Sequence, residues 1–180
     1  MGCPNINMNT LKTKVQRITI RYANITDLPK IITILNQAID AQVNGILIKE
    51  TVESKLKWFR EFDINTYPIY VAVLNKHIVG FCYLSPYRRG RQAMSKVAEI
   101  SYYVDYNHHL KQVGTTLMKY AIQDCKRLKK NSLLAILLDN NTSSISLLEK
   151  YNFKKWGHFP DIINLNKKVC GQYVYGLKIG

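Results

Sequence analysis

From residue 18 onward, the hydrophobic residues change from an alternating to a helical pattern. Ile18–Tyr22 alternates apolar and polar side chains, as a half-buried strand does. Thr26 and Asp27 are polar residues that favour a helix N-terminus, and Pro29 is tolerated in a first helical turn. The next apolar residues recur at helical spacing: Leu28, Ile31, Ile32, Leu35 and Ile39. We therefore predict a strand followed by an amphipathic helix.

The rest of the chain alternates between further helical and strand-like patterns. Thr51 is placed to cap a second helix, because apolar residues share one face in the segment that follows it. Two β-rich runs, 69–74 and 78–84, are separated by three polar residues and predict a hairpin. The remaining predicted elements are strands at 97–104, 133–138 and 173–179 and helices at 112–129 and 143–150.

This order of elements predicts one mixed domain. Hairpins combine with a β-α-β crossover, which is typical of an α/β (α+β) domain built on a central sheet with flanking helices. A chain of 180 residues is long enough to bury a single core. We assign residues 17–180 to this domain and expect residues 1–16 to form a flexible N-terminal arm.

The composition is that of a globular protein with a strong positive charge. Hydrophobic residues make up 47% of the chain, which excludes a disordered protein, and the longest wholly apolar run is six residues, Leu133–Leu138. A membrane span needs about twenty. Lys and Arg exceed Asp and Glu by 26 to 12, for a net charge of +14. These cations are scattered, so a solvated Lys-rich surface is favoured over a nucleic-acid interface, which the charge alone does not exclude.

Cysteine and histidine residues form neither a metal-binding nor a disulfide pattern. The four cysteines and the four histidines are dispersed, and no CxxC pair is present. We expect reduced thiols, no metal, no membrane association and a cytoplasmic location.

Several short segments occur in an order and at spacings typical of one superfamily. They are Ile20-Arg21-Tyr22-Ala23 with Asp27-Leu28-Pro29, Tyr67-Pro68, Val79-Gly80-Phe81, Val97–Val104, Asn141 with Ser144, Leu147–Lys150 and Gly157-His158-Phe159-Pro160. On these segments, which extend over nearly the whole domain, the chain resembles the GNAT superfamily of N-acetyltransferases. It resembles more narrowly the branch that acetylates phosphinothricin and methionine sulfoximine.

The resemblance implies a fold, a cofactor and an assembly. The fold is a central mixed, mostly antiparallel sheet, the acyl donor is acetyl-CoA, and members of this branch commonly form homodimers. In the family, the segment that matches Tyr102, Tyr103 and Val104 contacts the acetyl and pantetheine parts of the cofactor. The loop before the following helix binds the pyrophosphate. The matching residues of that loop are His109, Leu110, Lys111, Gln112, Val113 and Gly114.

This loop departs from the family pattern Gln/Arg-x-x-Gly-x-Gly/Ala. Only Gly114 is retained, since His109 stands at the Gln/Arg position and Gln112 at the first glycine. Backbone N–H groups at a helix N-terminus bind phosphate whatever the side chain, so cofactor binding is still predicted. A positive φ at Gln112 would cost on the order of 1 kcal/mol. The alternative is a plain basic connection between a strand and a helix.

Glu99 is the predicted catalytic residue. An alkyl amine has a pKa of about 10 and must lose a proton before it attacks a thioester. Glu99 lies among apolar residues on a predicted central strand, where a carboxylate without a partner is costly. The resemblance assigns the matching Glu to amine deprotonation or to ammonium binding. The alternative is a Glu paired with a Lys or Arg across the sheet.

Two positions near the predicted short helix bear on the cofactor. Relatives usually carry Tyr or His as a proton donor to the departing thiolate where this chain has Leu148, and leucine cannot donate a proton. Water or another hydroxyl, such as that of Tyr103, would then serve, or catalysis would be weak. Asn141 matches an Asn that hydrogen-bonds pantetheine in the family, but a helix N-cap explains it equally well.

The basic loop before the Glu99 strand is the predicted substrate-binding loop. Arg88, Arg89 and Arg91 stand where this branch binds the acidic end of its substrate, and guanidinium groups suit a carboxylate or a phosphinate. A solvated basic loop is the alternative.

Three functions follow from these observations, of which the first is favoured. It is an N-acetyltransferase that uses acetyl-CoA to acetylate the amine of a small amino-acid-like substrate by direct attack. The second is an acyl-CoA-binding regulatory domain with weak or no catalysis, which the Leu148 and loop departures indicate. The third is a basic protein of this fold that binds nucleic acid or protein, which the net charge of +14 indicates.

Overall fold

The computed structural model describes residues 17–166 and 168–180, so the predicted arm at residues 1–16 lies outside the described residues. Seven strands and four α-helices follow one another within these ranges. They are β1 (Thr19–Tyr22), α1 (Leu28–Asp40), α2 (Val52–Arg60), β2 (Ile69–Leu74), β3 (His77–Pro86), β4 (Val97–Val104), α3 (Val113–Asp124), β5 (Ser132–Leu138), α4 (Thr142–Lys150), β6 (Lys154–Asn164) and β7 (Val169–Lys178).

The strands form one sheet in the order β1-β2-β3-β4-β5-β7-β6, with β4 at its centre. Every neighbouring pair is antiparallel except β4 and β5, which are parallel. The crossover between these two strands contains α3, as the β-α-β pattern requires. The predicted α/β (α+β) class and the mixed, mostly antiparallel sheet are therefore confirmed.

Helices cover both faces of the sheet and divide the core into two clusters. On one face, α1 packs its apolar stripe on β2 and β3 around the fully buried Ile31, Val71 and Phe81. On the other face, α3 packs on β2, β3 and β4. Gly80 permits this second contact, because a Cβ built there would lie 2.8 Å from Val113 Cγ1 and 3.0 Å from the Tyr103 carbonyl.

The predicted helix starts agree with the observed caps. Thr51 accepts a hydrogen bond from the Ser54 N–H, and the Ser54 hydroxyl accepts one from the Thr51 N–H, which satisfies two donors at the start of α2. Pro29 lies in the first turn of α1, where it removes no intrahelical hydrogen bond.

Strand β6 is the largest departure from the sequence-based prediction, which contains no strand between the short helix and the terminal one. Its side chains are almost all exposed, and two register shifts against β7 interrupt the alternation. Period-two burial is the signal that reveals a strand in a sequence, and β6 lacks it.

The helix predicted to reach residue 129 ends earlier, since α3 stops at Asp124. Lys129 has a positive φ of 53°, and the Lys130 N–H donates a hydrogen bond to the Cys125 carbonyl. A single residue in the left-handed conformation, together with such a bond, is a common way for a right-handed helix to end. Cys125 and Leu128 are buried in these closing turns, so the apolar pattern continues past the end of the helix.

Candidate active site

The cleft of the molecule arises where β4 and β5 separate. Their parallel pairing covers only Val97–Glu99 against Ser132–Leu134, and beyond it the two strands diverge. The gap is a cleft of about 780 Å³, bordered by β4, β5, the N-terminus of α3, α4 and the loop between α1 and α2. An extended ligand can therefore lie between two strands of the sheet, with its ends on opposite sides.

Most of the predicted cofactor residues meet in this cleft. The residues that line it are Tyr102, Tyr103, Val104, His109, Leu110, Gln112, Val113, Gly114 and Asn141. Lys111 does not line the cleft, and its Nζ donates to the Asn107 carbonyl at 3.0 Å. The geometry brings these residues together, and their roles toward a cofactor stay predictions.

The loop before α3 contains two residues with a Cβ in the left-handed conformation. Gln112, the residue that precedes the helix, has φ 61° and ψ 12°, and Leu110 also has φ 61° with a fully exposed side chain. In the first turn of a helix, backbone N–H groups have no intrahelical acceptor. The N–H groups of α3 therefore face the cleft from the positive end of the helix dipole, which favours an anion.

An ion pair with a buried carboxylate fixes the other end of this loop. Asp105 Oδ2 accepts a hydrogen bond from Lys30 Nζ at 2.6 Å, and its Oδ1 accepts one from the Asn107 N–H at 3.1 Å. Burial alone would raise the pKa of Asp105, but the bonds from Lys30 and Asn107 outweigh it and lower the pKa. An ionised Asp105 thus ties the loop to α1.

Asn141 and Leu148 present different chemistry to the cleft. Asn141 Oδ1 accepts a hydrogen bond from the Ser144 N–H at 3.1 Å, so Asn141 is the N-cap of α4, and its Nδ2 donates to the Val43 carbonyl at 3.3 Å. A pantetheine contact of Asn141 stays a prediction. Leu148 is buried in the core cluster under the cleft, where it offers no proton.

Glu99 lies on the cleft wall, at the last residue pair before β4 and β5 separate. It is half-buried, and its carboxylate forms no ion pair within the described part of the chain. Burial raises its pKa, because the charged form loses hydration that no cation replaces. Such a carboxylate is suited to accept a proton near neutral pH.

The three arginines of the predicted substrate loop lie elsewhere. Arg88, Arg89 and Arg91 line a separate depression of about 390 Å³ at the end of β3. Arg89 Nη2 lies 3.1 Å from Glu61 Oε2 on the helix side of this depression. Their role toward a substrate stays a prediction.

The polar residues of the cleft that sequence analysis missed include Asn44, Tyr83 and Ser101. Tyr83 and Ser101 are directly opposed on β3 and β4, and the alternation of β4 from Glu99 to Ser101 was the available signal for the latter. Asn44 lies in the loop between α1 and α2, where no motif marks it.

Two further features concern metals and membranes. No cluster of three or more His, Cys, Asp or Glu side chains suited to a metal ion occurs in the described ranges. Among the helices described, none combines the length and the apolar composition that crossing a bilayer requires.

The sheet opens between its central strands beside a helix N-terminus, so the cleft suits an extended ligand with an anionic end. Comparison with known families identifies the class of protein. The model of the acetyltransferase (GNAT) family matches residues 39–153, which is more than half of the chain. The chain belongs to this family.

The similar proteins within this family include acetyltransferases of small amino-acid-like compounds. A protein of Bacillus subtilis (strain 168) whose name assigns it as a phosphinothricin acetyltransferase, YwnH, is 31% identical over 84% of this chain and 93% of its own. The L-methionine sulfoximine/L-methionine sulfone acetyltransferase of Salmonella typhimurium is 26% identical over 81% of this chain and 85% of its own. The fold also matches a phosphinothricin acetyltransferase of Sinorhizobium meliloti solved with acetyl-CoA, with a TM-score of 0.85, 21% identity and coverage of 91% and 89%.

Proposed function

We propose that the protein is an N-acetyltransferase that uses acetyl-CoA to acetylate the amine of a small amino-acid-like substrate, of the phosphinothricin or methionine sulfoximine type. The observation that carries this proposal is the unpaired, half-buried carboxylate of Glu99 at the point where the sheet opens. The names of the curated relatives support the substrate class.

The cleft fits acetyl-CoA by the chemistry of its walls. The N–H groups at the start of α3, with Gln112 and Gly114, would hold the pyrophosphate. The exposed edge of β4 at Tyr102–Val104 would hold the pantetheine amides, because β4 has no partner strand on that side there. Bound acetyl-CoA supplies an activated acetyl group and leaves as the free thiol of CoA.

Glu99 performs the proton chemistry in this proposal. Its carboxylate first attracts the substrate ammonium and then accepts a proton from it, directly or through a water molecule, which leaves a neutral amine. Burial supports this role, since a raised pKa brings the carboxylate closer to the pKa of the amine. Arg88, Arg89 and Arg91 are the proposed contacts for the acidic end of the substrate.

The test combines cofactor binding with turnover. Acetyl-CoA titrated calorimetrically into the protein should bind with micromolar affinity, and release of free thiol should require an amine. Glu99→Gln should bind acetyl-CoA as the unmodified protein does but lose turnover. Glu53→Gln, on the exposed face of α2, is the matched control and should keep both. Absence of binding up to millimolar acetyl-CoA would refute the proposal.

A second candidate function is acyl-CoA binding with weak or no catalysis. The buried Leu148, at the position where relatives carry a proton donor, is the observation that favours it. Tight binding of acetyl-CoA without thiol release in the presence of any amino-acid-like amine would select this function.

We also propose a homodimer in the cytoplasm. The edge strand β6 and its partner β7 expose four large apolar side chains, which a second copy of the chain would cover: Trp156, Phe159, Ile162 and Val169. The cytoplasmic location is supported by the three described cysteines, which are free and buried.

A further inference from the structure

The loop between β4 and α3 carries a histidine that the cofactor predictions do not include. His108 ends a short 3₁₀ helix, Tyr106–His108, and lies four residues before Gln112, the N-cap of α3. It lines the cleft together with His109 and Gln112. The His108 side chain therefore belongs to the wall at the end of the cleft where the pyrophosphate of acetyl-CoA is proposed to bind.

One ring nitrogen of His108 is shielded from solvent but has no hydrogen bond. Nδ1 has no partner within residues 17–166 and 168–180. Buried polar atoms of native proteins are almost always paired, so an unpaired one requires an explanation. Nδ1 lies 3.7 Å from Asp105 Oδ1, which is too far for a hydrogen bond but close enough for an ion pair once the ring is protonated.

Asp105 is placed to stabilise a protonated His108. The bonds from Lys30 and Asn107 lower the pKa of Asp105, and a positive charge on His108 lowers it further, so the carboxylate is ionised. Lys30 Nζ occupies Oδ2 at 2.6 Å, which leaves Oδ1 as the oxygen toward His108. An imidazolium donates from both ring nitrogens. One N–H would then be directed at Asp105, and the other, which diverges from it, is left for a ligand.

The groups around His108 differ in whether they titrate near neutral pH. Lysine and aspartate keep their charge between pH 6 and 8, and tyrosine stays neutral. The groups of these types are Lys30 and Asp40 of α1, Tyr106 and Lys111 of the loop, and Lys150 of α4, which lines the cleft. His109, whose Nε2 donates to the Val104 carbonyl at 3.2 Å, and Glu99 farther along the cleft are the two neighbours that an experiment must distinguish from His108.

An anion in this end of the cleft would draw a proton onto His108. The pyrophosphate carries two negative charges, and the N-terminus of α3 favours their binding. A nearby negative charge stabilises the protonated form of a histidine. Because histidine changes its charge between pH 5 and 8, a small electrostatic effect is enough to protonate it at neutral pH.

We propose that His108 takes up a proton when acetyl-CoA binds and, as a cation supported by Asp105, compensates part of the pyrophosphate charge. This role rests on the proposed function, because acetyl-CoA must bind in this cleft, and it adds proton uptake to that binding. Binding and protonation then favour each other. The affinity for the cofactor should be highest at acidic pH and should fall as the pH rises and the ring loses its proton.

The test measures bound protons together with affinity. The probe is 3′-dephospho-CoA, which keeps the pyrophosphate but lacks the 3′-phosphate, a group that itself titrates near neutral pH. Calorimetric titrations at pH 7 in two buffers of different ionisation enthalpy should show an uptake of about half a proton per chain. The affinity should fall about five- to tenfold from pH 6 to pH 8, as expected for linkage to one proton.

Three variants assign the proton to His108. His108→Gln should abolish the uptake and bind the probe at pH 6 only as well as the unmodified protein does at pH 8. His108→Lys carries a permanent charge, so it should bind at pH 8 as tightly as the unmodified protein does at pH 6, without uptake. His77→Gln, at the exposed start of β3, is the matched control and should keep the uptake. Thermal melting shows whether each variant folds.

Each contrary outcome has a distinct meaning. Proton uptake that persists in His108→Gln would overturn the proposal, and its loss in His109→Gln or Glu99→Gln instead would assign the proton to that neighbour. Binding of the probe without proton uptake by the unmodified protein would also overturn the role of His108, while the proposed acetyltransferase function would stand. Binding of neither 3′-dephospho-CoA nor acetyl-CoA would refute the proposed function itself.

Discussion

Glu99 combines an electrostatic cost in the folded state with the chemistry that we propose for it. Its carboxylate is half-buried beside an opening in the sheet, and within residues 17–166 and 168–180 no cation pairs with it. The folded protein therefore raises its pKa above the ordinary value, and ionisation of Glu99 works against folding. This cost is explained if the carboxylate is needed to take a proton from the substrate.

Glu99→Gln should lower kcat/KM by about 10²–10⁴-fold, the usual contribution of a general base. In the unmodified protein, kcat/KM should rise with pH through a pKa above the ordinary 4.5 of a Glu, and the variant should lack this step. The measurement is a pH profile of thiol release.

The same variant should be more stable than the unmodified protein at pH 7. A raised pKa contributes stability that is present below the unfolded value and is lost as the pH rises through the folded value. The difference in melting temperature should thus vanish below about pH 4. An unchanged or lower melting temperature of Glu99→Gln at pH 7 would contradict this explanation.

Gln112 is the second residue of the cleft with an energetic cost, which here lies in the backbone. Its φ of 61° is an uncommon conformation for a residue with a Cβ, and it opens the N-terminus of α3 toward the cleft. Gln112→Gly should be more stable than Gln112→Val by at least about 1 kcal/mol, because glycine adopts this conformation freely and a β-branched residue does not. Urea unfolding of both variants measures the difference, and equal stability would show that the strain is absent.

At the scale of elements, a partly buried network joins the end of α3 to β2. The fully buried Tyr70 donates to Asp124 Oδ2 at 2.8 Å, and Arg127 binds the same carboxylate through two nitrogens at 2.6 and 2.7 Å. Burial would raise the pKa of Asp124, but the bonds from Arg127 and Tyr70 lower it overall. The network therefore holds the C-terminal end of α3 against β2.

Asp124→Asn should destabilise the protein by about 2 kcal/mol at pH 7, because the Arg127 pair is lost and the Tyr70 bond is weakened. A lowered pKa contributes stability that is present above the ordinary value of 3.8 and is lost as the pH falls through the lowered value. The destabilisation measured by urea unfolding should therefore shrink as the pH falls below 4. Asp40→Asn, which removes an exposed pair with Lys49, is the control and should cost under about 0.5 kcal/mol.

The sequence predicts those helices and strands in which buried and exposed side chains alternate regularly. It does not predict β6, in which almost all side chains are exposed. Helix α1 and strand β4 have clear patterns and agree with the prediction, whereas the exposed and irregular β6 does not appear in it. The site shows the same limit. Motifs identify Glu99 and the loop before α3, but Tyr83 and Asn44 reach the cleft only through strand register and loop packing, which one sequence does not show.

At the scale of the whole molecule, the edge strand β6 is the surface on which the proposed homodimer depends. Phe159 is 51% exposed and Trp156 is 47% exposed, which is unusual for such large apolar side chains on an edge strand. Sedimentation velocity should give a species of twice the 20.8 kDa chain mass. Phe159→Glu should shift it to the monomer, and Ile48→Glu, a change at an 80% exposed residue outside β6 and β7, should not. A monomer for the unmodified protein would contradict the homodimer.

The net charge of +14 is a property of the whole chain. A cofactor with several phosphates is attracted by such a charge, and so is nucleic acid. The two cases differ in stoichiometry and selectivity. Acetyl-CoA should bind once per chain in the cleft and should compete with CoA, whereas nucleic acid would bind without competition and with a steep dependence on salt.

The most direct test of the proposed function is product formation by the unmodified protein. Incubation with acetyl-CoA and L-methionine sulfone should yield the N-acetylated amino acid by mass spectrometry, with an equal amount of free CoA thiol. The rate should depend on both substrates, since transfer is direct. Thiol release without acetylated product, or no product with any amino-acid-like amine despite acetyl-CoA binding, would contradict the assignment of this cleft as an N-acetyltransferase active site.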